Sequence, residues 1–385
     1  MKDLFYLNPA ITFLNFGSFG ACPKPIFEDY QKWQLELEYE PVQFVAVNGL
    51  QYLKQSREAL ANYIHCDAND VVYTSNPSYA MSIVAKSFDL KRGDEILTNN
   101  LEYGAMDYSW NYYCEKASAV YKRQPITLPL TTKEKFIEEF FSGLTANTKA
   151  IFISQITSTT ALIFPVKEIC EIAKSKGLFT IVDGAHVPGH IDLNLQELKA
   201  DVYTGACHKW MLTPKGCSFL YVKKEHQHLF DPLVISWGFK NPLPSESKFI
   251  DYHQMQGTRD FSAFLTVPKA IEFLNQHNWK EKSKACHELV IKNAQRFYDL
   301  LGSYALSPLT NEFVGQMLSI PIKTTEPMKL QRLLFEKYNV EIPVMPHADQ
   351  VYLRYSINVF NTQHDLDVLY NAVEDILKTS DLIKR

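Results

Sequence analysis

The 385-residue sequence lacks any pairing of its cysteines. The seven, at 22, 66, 114, 170, 207, 217 and 286, are odd in number and form no C-x-x-C. That spacing speaks against a disulfide framework or a zinc knuckle and leads us to expect a reduced, cytoplasmic protein. Long apolar runs are missing too: Ala150-Ile151-Phe152-Ile153 is typical, far below the ~18 residues a bilayer span requires. Asn8-Pro9 arrives before a signal-type apolar stretch develops, so no membrane role is expected. With a net charge of −4 and no basic stripe, the chain offers no footprint for nucleic acid. There is no P-loop and no GxSxG elbow, and Gly17-Ser18-Phe19-Gly20 is not the GxGxxG of a dinucleotide site. His186 and His190 are four apart, but Pro188 and Gly189 between them forbid the helix a zinc pair would need; no metal is expected.

What is present describes a large globular protein. Hydrophobic residues are 46% and charged residues 21%, and the length exceeds what one core of about 250–300 residues accommodates. The middle of the chain alternates β-type and helical patterns. Strands are predicted at 71–74, 95–98, 119–121, 150–154, 178–182, 201–204 and 218–222, with helices starting at 77, 133 and 166 and another through 106–114. Leu178-Phe179-Thr180-Ile181-Val182 is almost continuously apolar, as in strands of a parallel sheet buried on both faces. This alternation implies an α/β layered fold. Beyond about residue 265 helices dominate (279–301, around 330–334, 365–377), separated by strands at 316–321 and 351–355, which reads as a smaller α+β unit.

Two residues carry the chemistry. Asp183 ends the strongest strand, where open α/β sheets bind ligands, although a lone Asp there is more often a loop cap. Lys209, in Cys207-His208-Lys209-Trp210, follows another strand; between His and Trp it reads as an amine held inside a site, where burial lowers its pKa and favours a Schiff base. Standing 26 residues apart at strand ends of one sheet, they can face opposite edges of a flat ring. Pyridoxal 5′-phosphate (PLP) needs such a pair: a carboxylate for its pyridine nitrogen and an amine for its aldehyde. For the phosphate, the turn before the helix at Pro77 offers the backbone N–H groups of Ser78, Tyr79 and Ala80 and the Ser78 hydroxyl, though such a turn alone reads as a helix cap.

Asp183-Gly184-Ala185-His186 and Thr204-Gly205-Ala206-Cys207-His208-Lys209-Trp210 resemble the class V aminotransferase group of fold-type I PLP enzymes. Leu14-Asn15-Phe16-Gly17-Ser18-Phe19-Gly20, Ser236-Trp237-Gly238 and Gly257-Thr258-Arg259-Asp260 are similar to its isopenicillin N epimerase-like branch. The resemblance implies a large domain with a mostly parallel sheet flanked by helices, plus a smaller α+β C-terminal domain. The division we expect is an arm over 1–22 joining the small domain, a PLP-binding domain over 23–265, and a small domain over 266–385.

It further implies that Lys209 carries the cofactor, Asp183 pairs with the ring nitrogen, and His186 binds the ring 3-oxygen. Tyr103 would stack on the ring, Ser158 would lie near it, and His208 and Ser78 would bind the phosphate. Thr258 would reach the phosphate of a neighbouring subunit, hence a homodimer with shared sites, and Arg354 would clamp the α-carboxylate of a small amino-acid substrate. Two departures stand out. Ala206 replaces a usual Ser or Asn, and Ile342 to Ala348 holds no cysteine, which argues against a persulfide-forming desulfurase. The electron pair left at Cα could lead to epimerisation, transamination or elimination. An aminotransferase or epimerase type is the first reading, a carbon–sulfur lyase the second, and a non-catalytic binding module the alternative of another class.

Overall fold

The computed structural model describes residues 1–385. Its strands are β1 (Thr12–Phe13), β2 (Val71–Thr74), β3 (Glu95–Asn99), β4 (Val120–Gln124), β5 (Thr148–Ser154), β6 (Phe179–Gly184), β7 (Val202–Ala206), β8 (Ser218–Val222), β9 (Met317–Ile322), β10 (Val340–Glu341), β11 (Val344–His347) and β12 (Gln350–Ser356). Seven of them form the central sheet, in the order β2-β8-β7-β6-β5-β3-β4. Only β8 runs against the others, so the sheet is mostly parallel, as expected. All residues of β2, β7 and β8 are buried, which is why these strands read as apolar runs and not as an alternation.

The apolar faces are closed by helices on both sides. One face packs Val72, Phe152 and Ile181 against Met81, Val84 and Trp110 of the helices Pro77–Ser87 and Gly104–Ala117. The other face belongs to a larger core that also takes in Phe297, Leu318 and Leu353 from the C-terminal part. There β9, β11 and β12 make an antiparallel sheet in the order β11-β12-β9. The expected architecture, a mostly parallel sheet flanked by helices with a smaller α+β part beside it, is the one found.

The N-terminal segment ties the two sheets together. β1 pairs with β10, Ser356 donates its N–H to the Leu14 carbonyl at 2.8 Å, and Phe5 meets Phe360 edge-on at 5.0 Å. The chain then turns through Phe16–Phe19 to Gly20, whose φ of +66° lies in the left-handed region. A Cβ there would stand 2.5 Å from the His208 carbonyl oxygen and 3.0 Å from the Lys209 Cα. Gly20 thus lets the N-terminal turn lie directly on the backbone of the lysine.

Sequence reading missed two long helices, Lys24–Tyr39 and Gly49–Ile64. The first buries only Ile26, with Leu35 and Tyr39 exposed, so its apolar residues mark no inward stripe.

Gly20→Ala is expected to lower unfolding free energy by more than Gly93→Ala does in denaturant melts. Gly93 has φ +86° but nothing within 4 Å of a Cβ, so it carries only the backbone strain of roughly 1 kcal/mol. Equal losses would show that the contact with His208 is slack.

Candidate active site

The carboxyl ends of the parallel strands converge on one cavity of about 290 Å³, near the lower end of ordinary ligand pockets, roughly 300 Å³. Every parallel strand but β4 delivers something. After β2 comes Ser78, after β3 Tyr103, after β5 Ser158, at the end of β6 Asp183 with His186 just beyond, and after β7 His208 and Lys209. Arg354 arrives from β12, Met345 from β11, and Gly17 and Ser18 from the N-terminal turn. Eight of the eleven residues singled out from sequence therefore line one cavity. Tyr79, Ala80 and Thr258 do not.

Asp183 is buried, and its Oδ1 accepts the Ala185 N–H at 2.8 Å, while Oδ2 has no protein donor. Burial pushes its carboxyl up; the Ala185 N–H and the Lys209 charge pull it back. Lys209 has the opposite imbalance: burial brings its ammonium down to about 8, opposed by Asp183 and reinforced by Arg354. His186 Nε2 lies 3.2 Å from the Lys209 Nζ. His208 donates Nδ1–H to the Cys217 carbonyl at 2.7 Å, which leaves its Nε2 as the free atom, and burial lowers it to about 4.

Arg354 is fully enclosed. Its Nη1 donates to the Ser158 carbonyl and, at 3.4 Å, to the Ser158 hydroxyl; Nη2 donates to Ser18 at 3.1 Å; Nε has no partner. Burial lowers it to about 10, still charged at neutral pH. Ser158, expected beside the ring, is thus committed to the arginine. Gly17 packs beside this group: a Cβ there would stand 2.5 Å from Met317 Sδ and 3.0 Å from Ser356 Oγ, but only in ordinary contact, 3.4 Å, with Arg354 Nη2.

The three amides expected to face the phosphate, at residues 78–80, are not equally free in the structure. Asn76 caps the helix: its Oδ1 accepts the Tyr79 N–H at 2.8 Å and its carbonyl accepts the Ala80 N–H at 3.2 Å. Of the three, only the Ser78 N–H is left without a backbone or side-chain acceptor. Asn76 itself lines the cavity and was read only as part of the turn.

Two further residues escaped the sequence reading. Ser154, level with Asp183 across the sheet, lines the cavity, and its N–H and hydroxyl donate to the buried carboxylate of Glu102. Burial raises Glu102 to about 8 against those hydrogen bonds. The β5–β6 register sets Ser154 level with Asp183, and the β3–β5 pairing brings it beside Glu102; no spacing in the sequence displays either. No cysteine lines the cavity.

The family model "Aminotransferase class-V" matches residues 42–369. Isopenicillin N epimerase of Amycolatopsis lactamdurans is 29% identical, with 98% of this chain and 98% of that protein aligned. A putative L-cysteine desulfhydrase 1 of Oryza sativa subsp. japonica is 28% identical over 94% of this chain and 83% of its own. Among solved structures, a C-DES mutant with glycine covalently linked to its PLP cofactor superposes with a TM-score of 0.84 at 20% identity, covering 97% of this chain and 99% of that one.

In cofactor-free protein, the Lys209 amine should react with acetic anhydride with a midpoint near pH 8, read by peptide mass spectrometry. Labelling rises with pH because the neutral amine is the nucleophile. Asp183→Asn, by removing the stabilising charge, should move the midpoint lower; an upward shift would contradict the geometry.

Proposed function

The chain belongs to the class V aminotransferase family and is a PLP-dependent enzyme; we propose that it acts at the Cα of an amino acid, with Lys209 carrying the cofactor. The observation that carries the proposal is one cavity holding both an amine of lowered pKa and a buried carboxylate with an unsatisfied oxygen. Asp183 Oδ2 lacks a donor that a protonated pyridine nitrogen supplies, so the residues present fit the group. Ser78, through its N–H and hydroxyl, would hold the phosphate, and the dianion would draw a proton onto His208 so that Nε2–H donates to it while Nδ1–H stays on the Cys217 carbonyl. Tyr103 would cover the ring. Bound PLP supplies an electron sink for the pair left when a bond to the substrate Cα breaks.

The chain's own residues do the rest. Arg354 binds the α-carboxylate, its charge held in place by Ser158 and Ser18. That grip orients the substrate so that Cα–H faces Lys209, whose neutral amine takes the proton. Asp183 keeps a negative charge beside the ring nitrogen, and the enclosing apolar side chains Ile156, Met106 and Met345 exclude water.

An aminotransferase or epimerase type is the first reading, supported by the 29%-identical epimerase aligned along nearly the whole chain. A carbon–sulfur lyase is the second, favoured by a cavity without cysteine, which suits direct release of product, and by the desulfhydrase relative. We further assign the chain to a cytoplasmic homodimer. Thr258 is exposed and outside its own chain's cavity, as a residue serving a neighbour's phosphate must be. Phe19, Trp237, Phe239 and Leu243 are exposed apolar side chains that a second copy would cover. No helix is long and apolar enough to cross a membrane.

The PLP-saturated protein in heavy water should exchange the Cα proton of at least one amino acid, followed by NMR. A D-enantiomer or keto acid would support the first reading; pyruvate with sulfide from cysteine would support the second. Arg354→Lys should raise KM at least about tenfold, ~1.4 kcal/mol, because a point charge cannot replace the planar fork. Absence of exchange across all proteinogenic amino acids would defeat the proposal.

A further inference from the structure

We propose that Trp210 and His190 are positioning residues that fix the tautomer and the seat of His186, so that an imidazole N–H faces the Lys209 nitrogen. The consequence for catalysis rests on Lys209 being the cofactor-bearing amine; the tautomer itself does not.

The argument starts from what each atom can do. An indole N–H only donates. The Trp210 Nε1 lies 3.3 Å from His186 Nδ1, so Nδ1 must accept, and the ring proton resides on Nε2. An imidazolium would set two N–H groups against each other at that contact. His186 Nε2 is 3.2 Å from Lys209 Nζ. With the proton on Nε2, the amine accepts through its lone pair, and its neutral form is the one that fits.

Trp210 cannot easily turn away. It is buried, stacked on the His190 ring with centroids 4.0 Å apart, and flanked by Phe16 at 4.9 Å. Its carbonyl lies where Gly189, with φ +83°, has no side chain: a Cβ would be 2.3 Å away.

His190 is fixed from both sides. Its Nδ1–H donates to the His186 carbonyl at 3.0 Å, and its Nε2 accepts the Gln316 N–H at 2.7 Å. A Cβ on Gly315 would stand 2.3 Å from that Nε2, so glycine is what allows the amide to approach. Gln316 immediately precedes β9 of the second sheet. The backbone and ring of His186 are therefore held separately, and the first hold reaches back to the C-terminal part of the chain. Such a fixed donor favours nucleophilic amine over ammonium at Lys209. The other charges facing Lys209 are Asp183 from β6, which favours the ammonium, and Arg354 from β12, which opposes it.

Two measurements on cofactor-free protein test this. In ¹⁵N-labelled wild type, long-range proton–nitrogen correlation should show His186 as the Nε2–H tautomer at neutral pH. In Trp210→Phe, which keeps the ring and loses the donor, His186 should gain the Nδ1–H tautomer. Its Nε2 lone pair could then accept from the Lys209 ammonium, so the pH midpoint of Lys209 labelling should rise by about one unit, tenfold in proton affinity. An Nδ1–H or imidazolium form in the wild type overturns the proposal, and that spectrum alone decides if the variant fails to fold. An unchanged tautomer and midpoint in a folded Trp210→Phe overturn it equally. Neither measurement reads cofactor uptake, so failure of Lys209 to take up PLP would defeat the functional reading and leave this one standing.

Discussion

A carboxylate at the end of one strand and an amine just past the end of the next share a cavity of about 290 Å³. Neither charge is adequately solvated there, and the protein gives each less than a full set of partners. Asp183 has one N–H donor; Lys209 has an imidazole and the charge of Asp183, against which the charge of Arg354 acts. The carboxyl is pushed up and the ammonium down, each toward its neutral form. A flat cationic ring with an aldehyde opposite its nitrogen relieves both deficits together. The remaining structure keeps these two groups in place and dry.

Most of that work is done by position in the sheet. Ser154, Asp183 and Thr204 stand level on β5, β6 and β7, so the site is a row across the carboxyl edge. The edge is covered by the N-terminal turn, pressed onto the His208–Lys209 backbone through Gly20, and by Arg354 from the second sheet. Because both parts share one continuous core, displacement of the C-terminal sheet carries Arg354 with it. Trp210 lies where these layers meet, and removing a fully buried indole typically costs about 3–5 kcal/mol.

Much of this was legible in the sequence, for identifiable reasons. The strand Ser218–Val222 and the helix Trp279–Leu301 were read with the boundaries the structure gives, because composition changes sharply at their ends. Asp183 and Lys209 were visible because each follows a strong strand pattern. The illegible features depend on three-dimensional register or on surfaces left open. Glu102 and Ser154 meet across strands, and the helix Lys24–Tyr39 hides no clear face. β11 carries Pro346, which it tolerates because it pairs only with β12, at a sheet edge. The helix start at Pro77 looked like three free amides, but Asn76 consumes one with its side chain and one with its carbonyl. Trp210 was noticed as a neighbour of the lysine; the partner of its N–H was not readable.

The most direct measurement is to saturate the protein with PLP, reduce with borohydride, and map the pyridoxyl label by peptide mass spectrometry in wild type and in Asp183→Asn. The account predicts a yellow wild type bleached by reduction, with the label on Lys209. The variant should hold the cofactor more weakly and show a displaced visible absorption band. A label confined to other lysines, or a wild type that stays colourless with added PLP, would contradict it.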